Sequence, residues 1–279
     1  MERPTRRCHD RKELITQHAA TPTAKLCSTL PTQPSRGRAH SGLIQEAQAQ
    51  MRTMVASEST RPHRRLPPRA AAPLAPPPDG GRISNLAELR PAIQDCRRCS
   101  LWRDATQGVP GEGPASAPLM LVGEQPGDME DLEGHPFVGP AGQLLSRAME
   151  AAGIARNEAY VTNAVKHFKH EPRGKRRLHK TPDAGEVQAC RWWLDQERDL
   201  LKPGLIVALG GTAALAVFGK AMPIMKSRGR PLPLEGGTRG LITVHPSYLL
   251  RIPDEAAKAA AWHDFVQDLT VARELLSTA

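Results

Sequence analysis

Residues 119–127 read LMLVGEQPG, and this stretch indicates the fold most clearly. Four apolar residues in a row, with no polar residue between them, are typical of a strand that is buried on both faces of a sheet. A polar turn bounded by Gly123 and Gly127 follows directly. In parallel sheets, such turns at the carboxyl ends of strands are where ligands bind. The stretch therefore predicts a central strand and, immediately after it, a functional edge.

Three further apolar runs repeat this pattern along the chain. They lie at residues 160–165, 205–209 and 241–244. Helical patterns separate and follow them, at residues 85–96, 140–153, 186–201, 211–219 and 254–276. Strands that alternate with helices are joined by right-handed crossovers and give a parallel sheet with helices on both faces. We therefore expect an α/β fold, a three-layer αβα sandwich around a central four-stranded parallel sheet.

The first 82 residues have a different composition from the rest. They hold 14 Lys/Arg against 6 Asp/Glu, a net charge of +8 out of +9 for the whole chain, together with 11 of the 26 prolines. They contain no aromatic residue, so they have little to bury and we expect a disordered basic tail. Such a tail either holds DNA loosely or is a solvated extension, and an over-extended start codon would look the same. Residues 83–279 are expected to form the folded domain.

Hydropathy and the number of cysteines indicate the cellular compartment in which the protein is expected. Mean hydropathy is −0.44, and no apolar run reaches the roughly 18–20 residues of a membrane span. The amino-terminal region lacks the apolar core of a secretory signal. Five cysteines are an odd number, which argues against a fully paired disulfide framework. We expect a cytoplasmic protein with no membrane association, in which clustered cysteines are metal ligands.

A metal-binding set is suggested by the cysteines of the domain. Cys96 and Cys99 form a C-x₂-C pair, and Cys190 lies in the predicted helix after the second strand. A fourth ligand is needed, and His167 at the end of that strand is the obvious candidate. Three cysteines and a histidine can bind zinc or an iron–sulfur cluster. The residue types alone leave both open.

The segment 166–180 carries seven Lys/Arg, one acidic residue and three histidines. Because the rest of the domain is nearly neutral, this concentration of charge at a strand end favours phosphate binding. Candidate DNA contacts are Lys175, Arg176, Arg177 and Lys180. His179 lies directly after three cations, whose charge should favour its neutral, nucleophilic form.

The remaining polar residues at the predicted strand ends suit an extruded nucleobase. Phe137 offers a face for stacking, Asn163 an amide and His245 an imidazole. Stacking on the base face and hydrogen bonds to its edge are what a flipped-out base requires. Glu124 lies in a glycine-containing turn whose backbone amides can face a ligand.

These motifs resemble those of the uracil-DNA glycosylase superfamily, in its iron–sulfur family 4 branch and more closely in the UdgX group. The resemblance covers roughly residues 85–275. It is carried by CRRC at 96–99, GEQPGD at 123–128, PFVGPAG at 136–142, VTNAVKHF at 161–168, KRRLHKTP at 175–182, Cys190, and HPS at 245–247. Ordinary family 4 enzymes have a cysteine in place of His167 and lack the extended basic loop. UdgX-like proteins have both features, and only Leu178 departs from their usual loop sequence, which has isoleucine there.

The resemblance implies a cofactor and a partner. It implies a [4Fe–4S] cluster rather than zinc, held by Cys96, Cys99, His167 and Cys190 and serving as a structural brace. It also implies uracil-containing DNA as the substrate. We expect single strands to be preferred, because a base is more easily extruded from them. A monomer is the default expectation.

The resemblance further implies the roles of the pocket residues. His245 would donate a hydrogen bond to uracil O2 and stabilise the departing anion. Asn163 would read the O4/N3 edge, Phe137 would stack on the ring, and the backbone around Gln125 would complete the pocket. Ser247 would contact the DNA.

The UdgX-like loop implies an unusual outcome of the reaction. His179 would attack C1′ of the deoxyribose, with Glu124 orienting the imidazole and removing its proton, so that the protein remains covalently linked to the abasic site. Single-turnover uracil excision in DNA repair is therefore expected. Two alternatives stay open, a conventional hydrolytic glycosylase with turnover and a binding module without catalysis.

Overall fold

Four parallel strands form the centre of the structure, a computed structural model that describes residues 83–278. The strands in chain order are β1 (Leu119–Gly123), β2 (Ala159–Asn163), β3 (His170–Arg173), β4 (Arg176–His179), β5 (Leu205–Leu209), β6 (Leu232–Pro233) and β7 (Arg239–Thr243). The helices are α1 (Leu86–Gln94), α2 (Asp128–Glu133), α3 (Pro140–Ala151), α4 (Ala184–Leu201), α5 (Gly211–Phe218), α6 (Ile224–Ser227), α7 (Pro246–Leu250) and α8 (Glu255–Ser277).

The main sheet has the order β2-β1-β5-β7-β6. Its first four strands run parallel, in the register Gly123↔Asn163 for β1 with β2. The four-stranded parallel sheet is thus confirmed. The structure adds β6, a two-residue antiparallel strand beside β7, which is too short to leave a sequence signal.

Helices cover both faces of this sheet, as the three-layer prediction requires. Alternate residues of each strand point to opposite faces. Met120 and Val122 pack with α1, α4 and α5 in one core, whereas Leu119 and Leu121 pack with α3 and α8 in the other. Two apolar layers therefore fix the strands, and only their carboxyl ends remain free to carry polar chemistry.

Local sequence signals mark the starts of three helices, although α4 begins at Ala184, two residues before the expected position 186. The Asn85 side chain accepts hydrogen bonds from two backbone N–H groups of α1, and Pro140 is the first residue of α3. Asp183 and Glu186 form a capping box at the start of α4. Such caps satisfy the free N–H groups of a first helical turn.

The basic segment adopts a structure that the sequence did not predict. Its residues form an antiparallel hairpin, β3–β4, in which His170 pairs with His179 and Arg173 with Arg176 around Gly174. Gly174 has a φ of +60°, a left-handed conformation that favours glycine in a turn. A run of charged residues lacks the alternation of apolar and polar side chains that predicts a strand, so the sequence indicates a loop here.

The predicted disordered tail, residues 1–82, lies outside the described residues. Within residues 83–278, no helix is both long and apolar enough to cross a membrane.

Candidate active site

A cavity of about 750 Å³ opens at the carboxyl edge of the parallel sheet. Its lining includes five residues that the sequence singled out, which are Glu124, Phe137, Asn163, His179 and His245. Gln125 and Ser247, which the sequence also singled out, line it as well. The strand ends thus bring together side chains that lie up to 123 positions apart in the chain.

Backbone hydrogen bonds fix the two strand ends against each other. The Ala164 N–H donates to the Gly123 carbonyl at 2.9 Å, and the Val165 N–H donates to the Glu124 carbonyl at 3.0 Å. The parallel pairing of β1 and β2 therefore continues one step beyond the strands. Glu124 and Asn163 are held as neighbours by this continuation.

His245 is held as a neutral hydrogen-bond donor facing the cavity. Its Nδ1 accepts from the Ser247 backbone N–H at 3.2 Å and lies 2.8 Å from the Ser247 hydroxyl. Arg251 in turn donates to that hydroxyl at 3.1 Å. Burial, followed by the nearby charges of His179 and Arg251, lowers the pKa of His245 to about 4. With Nδ1 accepting, the single proton of the neutral ring lies on Nε2.

Phe137, which also lines the cavity, is held in a strained conformation. Its φ is +59°, a region that bulky residues rarely adopt. Its ring lies 6.5 Å from that of His245, with an angle of 28° between the planes. Gly142 makes this possible, because a Cβ at that position would lie 1.7 Å from the Phe137 carbonyl oxygen. The strain presents a flat aromatic face to the cavity.

Asn163 has a buried side chain, with only 3% of the residue exposed. Among residues 83–278 its side-chain amide has no hydrogen-bond partner, although it lines the cavity. Gly123 leaves room for it, since a Cβ there would lie 2.4 Å from Asn163 Oδ1 and 2.7 Å from Phe137 Cζ. A buried amide with open donor and acceptor positions is suited to reading the edge of a base.

His179 reaches the same cavity from the end of β4. Its Nε2 lies 3.4 Å from Glu124 Oε1, and its side chain is half exposed. The second oxygen of Glu124 accepts from the Thr212 hydroxyl at 2.6 Å. Thr212, at the start of α5, was not singled out from the sequence. Its hydroxyl orients the carboxylate that in turn faces the imidazole.

Gln125 joins the hairpin to the sheet. Its side-chain amide donates to the carbonyls of Lys169 and Lys180, and its oxygen accepts from the Lys169 N–H at 2.9 Å. The side chain therefore closes both ends of the hairpin. Only the backbone of Gln125 is left for a ligand, which is the part that the sequence analysis assigned to the pocket.

Arg177 is engaged inside the protein. It was expected among the phosphate contacts, but its guanidinium forms ion pairs with Asp128 at 2.6 Å and with the wholly buried Asp131 at 2.5 Å. It also lies over the Phe168 ring. These partners on α2 left no sequence signal, because they are about 46–49 positions away. Arg177 anchors the strand that carries His179.

The remaining cations of the basic segment divide into two groups. Lys166 is completely buried and paired with Glu197, whereas Lys169 is partly buried, with 26% of its side chain exposed, and pairs with Glu186. Lys175 and Arg176 are exposed near the hairpin turn. Lys180 is also exposed and pairs with Glu171. Of the four cations predicted to contact DNA, Lys175, Arg176 and Lys180 are thus exposed, whereas Arg177 is paired with Asp128 and Asp131.

The candidate cluster ligands lie beside α4. Cys96 and Cys190 are buried and Cys99 is partly exposed, and within the described part of the chain none of the three forms a disulfide. The Trp193 indole N–H donates to Cys96 Sγ, and the Lys166 backbone N–H donates to Cys190 Sγ, each at 3.1 Å. Burial raises the pKa of Cys190 to about 12.

The fourth candidate, His167, is 3% exposed, and burial lowers its pKa to about 4. It is therefore in the neutral form that binds metals. In the described part of the chain, no three His, Cys, Asp or Glu side chains converge closely enough to hold a single metal ion.

Comparison with known proteins agrees with this geometry. The family model described as the uracil DNA glycosylase superfamily matches residues 110–269. This range contains β1, β2, β5 and β7 and all five of the cavity residues named above. The chain belongs to the uracil-DNA glycosylase superfamily.

Individual relatives give the same result. This superfamily member is 41% identical over 160 residues to the type-4 uracil-DNA glycosylase of Thermotoga maritima, covering 57% of this chain and 80% of that protein. It is 38% identical over 180 residues to the type-4 enzyme of Pyrobaculum aerophilum, covering 61% and 86%. The type-4 enzyme of Sulfurisphaera tokodaii is 35% identical over 180 residues, covering 62% and 79%.

Proposed function

We propose that this protein excises uracil from DNA and becomes covalently linked to the abasic site through His179. One observation carries the first half of the proposal. A strained aromatic face, a buried amide with no hydrogen-bond partner among residues 83–278, and a neutral imidazole donor line one cavity. Together they supply stacking, edge recognition and a hydrogen bond to a developing anion, which are the requirements for removing a flipped-out base.

Cleavage breaks the bond between uracil N1 and C1′ of the deoxyribose, and its electron pair leaves with the uracil. The Nε2–H of His245 stabilises the resulting negative charge at O2, because a neutral imidazole can donate a hydrogen bond to the anion without transferring its proton. Asn163 pairs with the O4/N3 edge. Cytosine presents a donor at the same position, so the unpaired polar groups disfavour its binding.

The second half of the proposal concerns C1′, which becomes electron-deficient as uracil departs. A nitrogen of His179 forms the new bond to C1′, and the other ring nitrogen loses its proton to Glu124. Glu124 Oε1 lies 3.4 Å from His179 Nε2, within ion-pair distance, which supports this pairing. The product is a neutral N-alkyl imidazole. It is a poor leaving group, so the adduct persists, whereas the ester formed by a carboxylate nucleophile is hydrolysed.

A denaturing gel tests the adduct directly. Labelled single-stranded DNA with one uracil is incubated with the protein, heated in detergent and resolved beside the same strand with thymine. We expect a band shifted by the mass of the protein with uracil only. An unshifted strand that breaks under alkali would establish ordinary hydrolysis, and an intact strand with no free uracil would establish binding without catalysis.

The nucleophile is tested by His179→Ser. Because the smaller hydroxyl leaves space for water at C1′, we expect free uracil with turnover and no shifted band. The variant leaves Glu124 and His245 unchanged, so the rest of the pocket can still cleave the bond to uracil. Loss of all uracil release in a folded variant would contradict the assignment of His179.

We further propose that Cys96, Cys99, His167 and Cys190 hold a [4Fe–4S] cluster. The N–H groups directed at two of the sulfurs support it, since ligand sulfurs commonly accept such bonds. A four-iron cluster binds each ligand at a different iron, which suits a donor set that does not converge on one point. When bound, the cluster braces the segment 96–99 against α4. Protein purified without oxygen should contain four iron ions and four sulfide ions per chain. One zinc ion per chain in their place would contradict the proposal.

The substrate preference follows from the cost of extruding a base. In a single strand no base pair has to be broken before the uracil is extruded. We therefore propose that the adduct forms faster on single than on double strands. Time courses with the two substrates at equal concentration measure this ratio. Equal rates would remove the preference and leave the chemistry untouched.

A further inference from the structure

Beneath the candidate uracil pocket lies an ion pair that the reaction above does not use. Lys166 and Glu197 are both completely buried, and Lys166 Nζ lies 2.7 Å from Glu197 Oε2. A buried pair of this kind costs desolvation energy that its own attraction does not clearly repay, so it is weak evidence of a stabilising role. Its position in the fold suggests another one.

Lys166 reaches back to the strand that presents the base-reading amide. Its Nζ donates to the Asn163 backbone carbonyl at 2.9 Å and to the Thr162 hydroxyl at 2.6 Å. All three donor positions of the ammonium are therefore used, two of them on the end of β2. The ammonium fixes the carbonyl of the residue whose side chain faces the cavity.

Glu197 holds the ammonium from α4. Its carboxylate also accepts from the Gly111 N–H at 3.0 Å, the Tyr160 hydroxyl at 3.3 Å and the Thr162 hydroxyl at 2.9 Å. Four donors from three parts of the chain thus converge on one side chain. This leaves the carboxylate a single position and gives the Lys166 ammonium a fixed location.

We propose that Lys166 and Glu197 are a positioning pair that sets the orientation of Asn163 for uracil recognition. The inference rests on the proposed role of Asn163 in reading the base. Neither member of the pair lines the cavity or touches the substrate. The Asn163 amide has no side-chain partner of its own in the described residues, so its orientation depends on the backbone that Lys166 holds.

Two variants, Glu197→Gln and Lys166→Met/Glu197→Gln, differ only in the presence of the Lys166 ammonium, so their comparison measures the effect of its bond to the Asn163 carbonyl. Glu197→Gln alone keeps an acceptor oxygen for Thr162 and keeps Lys166 on Asn163, but removes the countercharge of a buried ammonium, so Tm falls. The double variant Lys166→Met/Glu197→Gln has no buried charge at this position. We expect its Tm to exceed that of Glu197→Gln and its single-turnover uracil release to be about tenfold slower.

Stability and uracil release are thus expected to move in opposite directions, which a purely structural role would not produce. Both are measured well below the melting transitions, with visible absorption checking that the cluster ligands are undisturbed. Tyr160→Phe serves as the matched control, since it removes one bond to Glu197 and none to Lys166. Its release rate should match the unmutated protein.

If the unmutated protein is active and Glu197→Gln and Lys166→Met/Glu197→Gln release uracil at equal rates, the positioning inference is overturned and the proposed function is not affected. No release by the unmutated protein would overturn the proposed function together with it. If the first double variant does not fold, Lys166→Met/Glu197→Met replaces the pair with apolar side chains, which cores commonly tolerate. Unimpaired release by either folded double variant overturns the positioning role.

Discussion

At the scale of single residues, the protonation state of His245 decides how the pocket responds to pH. Its pKa is lowered from the ordinary 6.5 to about 4, chiefly because the ring is buried. The ring is therefore neutral at physiological pH and donates from Nε2. Excision should lose nothing through this residue between pH 7 and 5.

The same shift predicts a pH dependence of stability. Between about pH 6.5 and 4 the unfolded chain binds a proton at His245 that the folded protein does not, so stability falls as the pH decreases through this window. Above pH 6.5 the penalty is absent. Urea unfolding of His245→Gln and of the unmutated protein from pH 7 to 4 should show the variant losing less stability, and NMR should show the imidazole titrating below pH 5. A titration midpoint near 6.5 would contradict the burial of the ring.

Gly123 provides a second test at this scale. A Cβ there would meet both Asn163 Oδ1 and Phe137 Cζ well inside contact distance. Gly123→Ala should therefore displace both side chains that are proposed to contact the base, and slow single-turnover uracil release by about 10²-fold. Gly204→Ala is the matched control, because its Cβ would meet only the Pro118 carbonyl at 3.8 Å. Similar rates for the two variants would show that neither displaced side chain reads the base.

At the scale of elements, the β3–β4 hairpin carries His179, the residue proposed to form the adduct. It is fixed to β1 by Gln125 and to α2 by Arg177, while Phe168 packs beneath it against His170 and His179. A hairpin this short is marginal by itself. The position of His179 therefore depends on these anchors.

Arg177→Met should separate the two halves of the reaction. Without its ion pairs to Asp128 and Asp131 the hairpin is released, and a displacement of about 1 Å can cost 10²-fold in rate. We expect adduct yield to fall by about that factor while free uracil is still produced, because the base pocket is built elsewhere. Arg173→Met removes the same charge from the exposed side of the hairpin and should leave the adduct yield unchanged. Gel shift and free-base assays on the same samples give both numbers.

At the scale of the whole molecule, charge and chemistry are separated along the chain. Residues 1–82 hold a net +8, while every proposed site residue lies after them. A protein of residues 83–279 should therefore still form the uracil-dependent adduct at saturating concentration. Binding to a thymine-containing strand at two salt concentrations shows whether the tail contributes phosphate contacts, since its loss would reduce the salt dependence. Failure of the folded, truncated protein to form the adduct would place a required group in the tail.

Much of this architecture can be predicted from the sequence because its signals are local. The apolar run at 119–122, the caps at Asn85 and Asp183, and Pro140 at a helix start each act within a few residues. Parallel strands then carry their polar termini to one edge whatever the details of packing. The convergence of Glu124, Asn163 and His245 follows from that rule.

The sequence by itself thus determined the alternation of strands and helices, the functional edge and the residues that meet there. Only the tertiary structure decided which cations are paired with carboxylates of the protein and which stay exposed. Lys166 and Arg177 look like their neighbours in the basic segment, yet one lies buried on Glu197 and the other is paired with Asp131. Those partners are 31 and 46 positions away. An ion pair depends on distance in space, and local composition carries no information about a partner that folding brings from elsewhere.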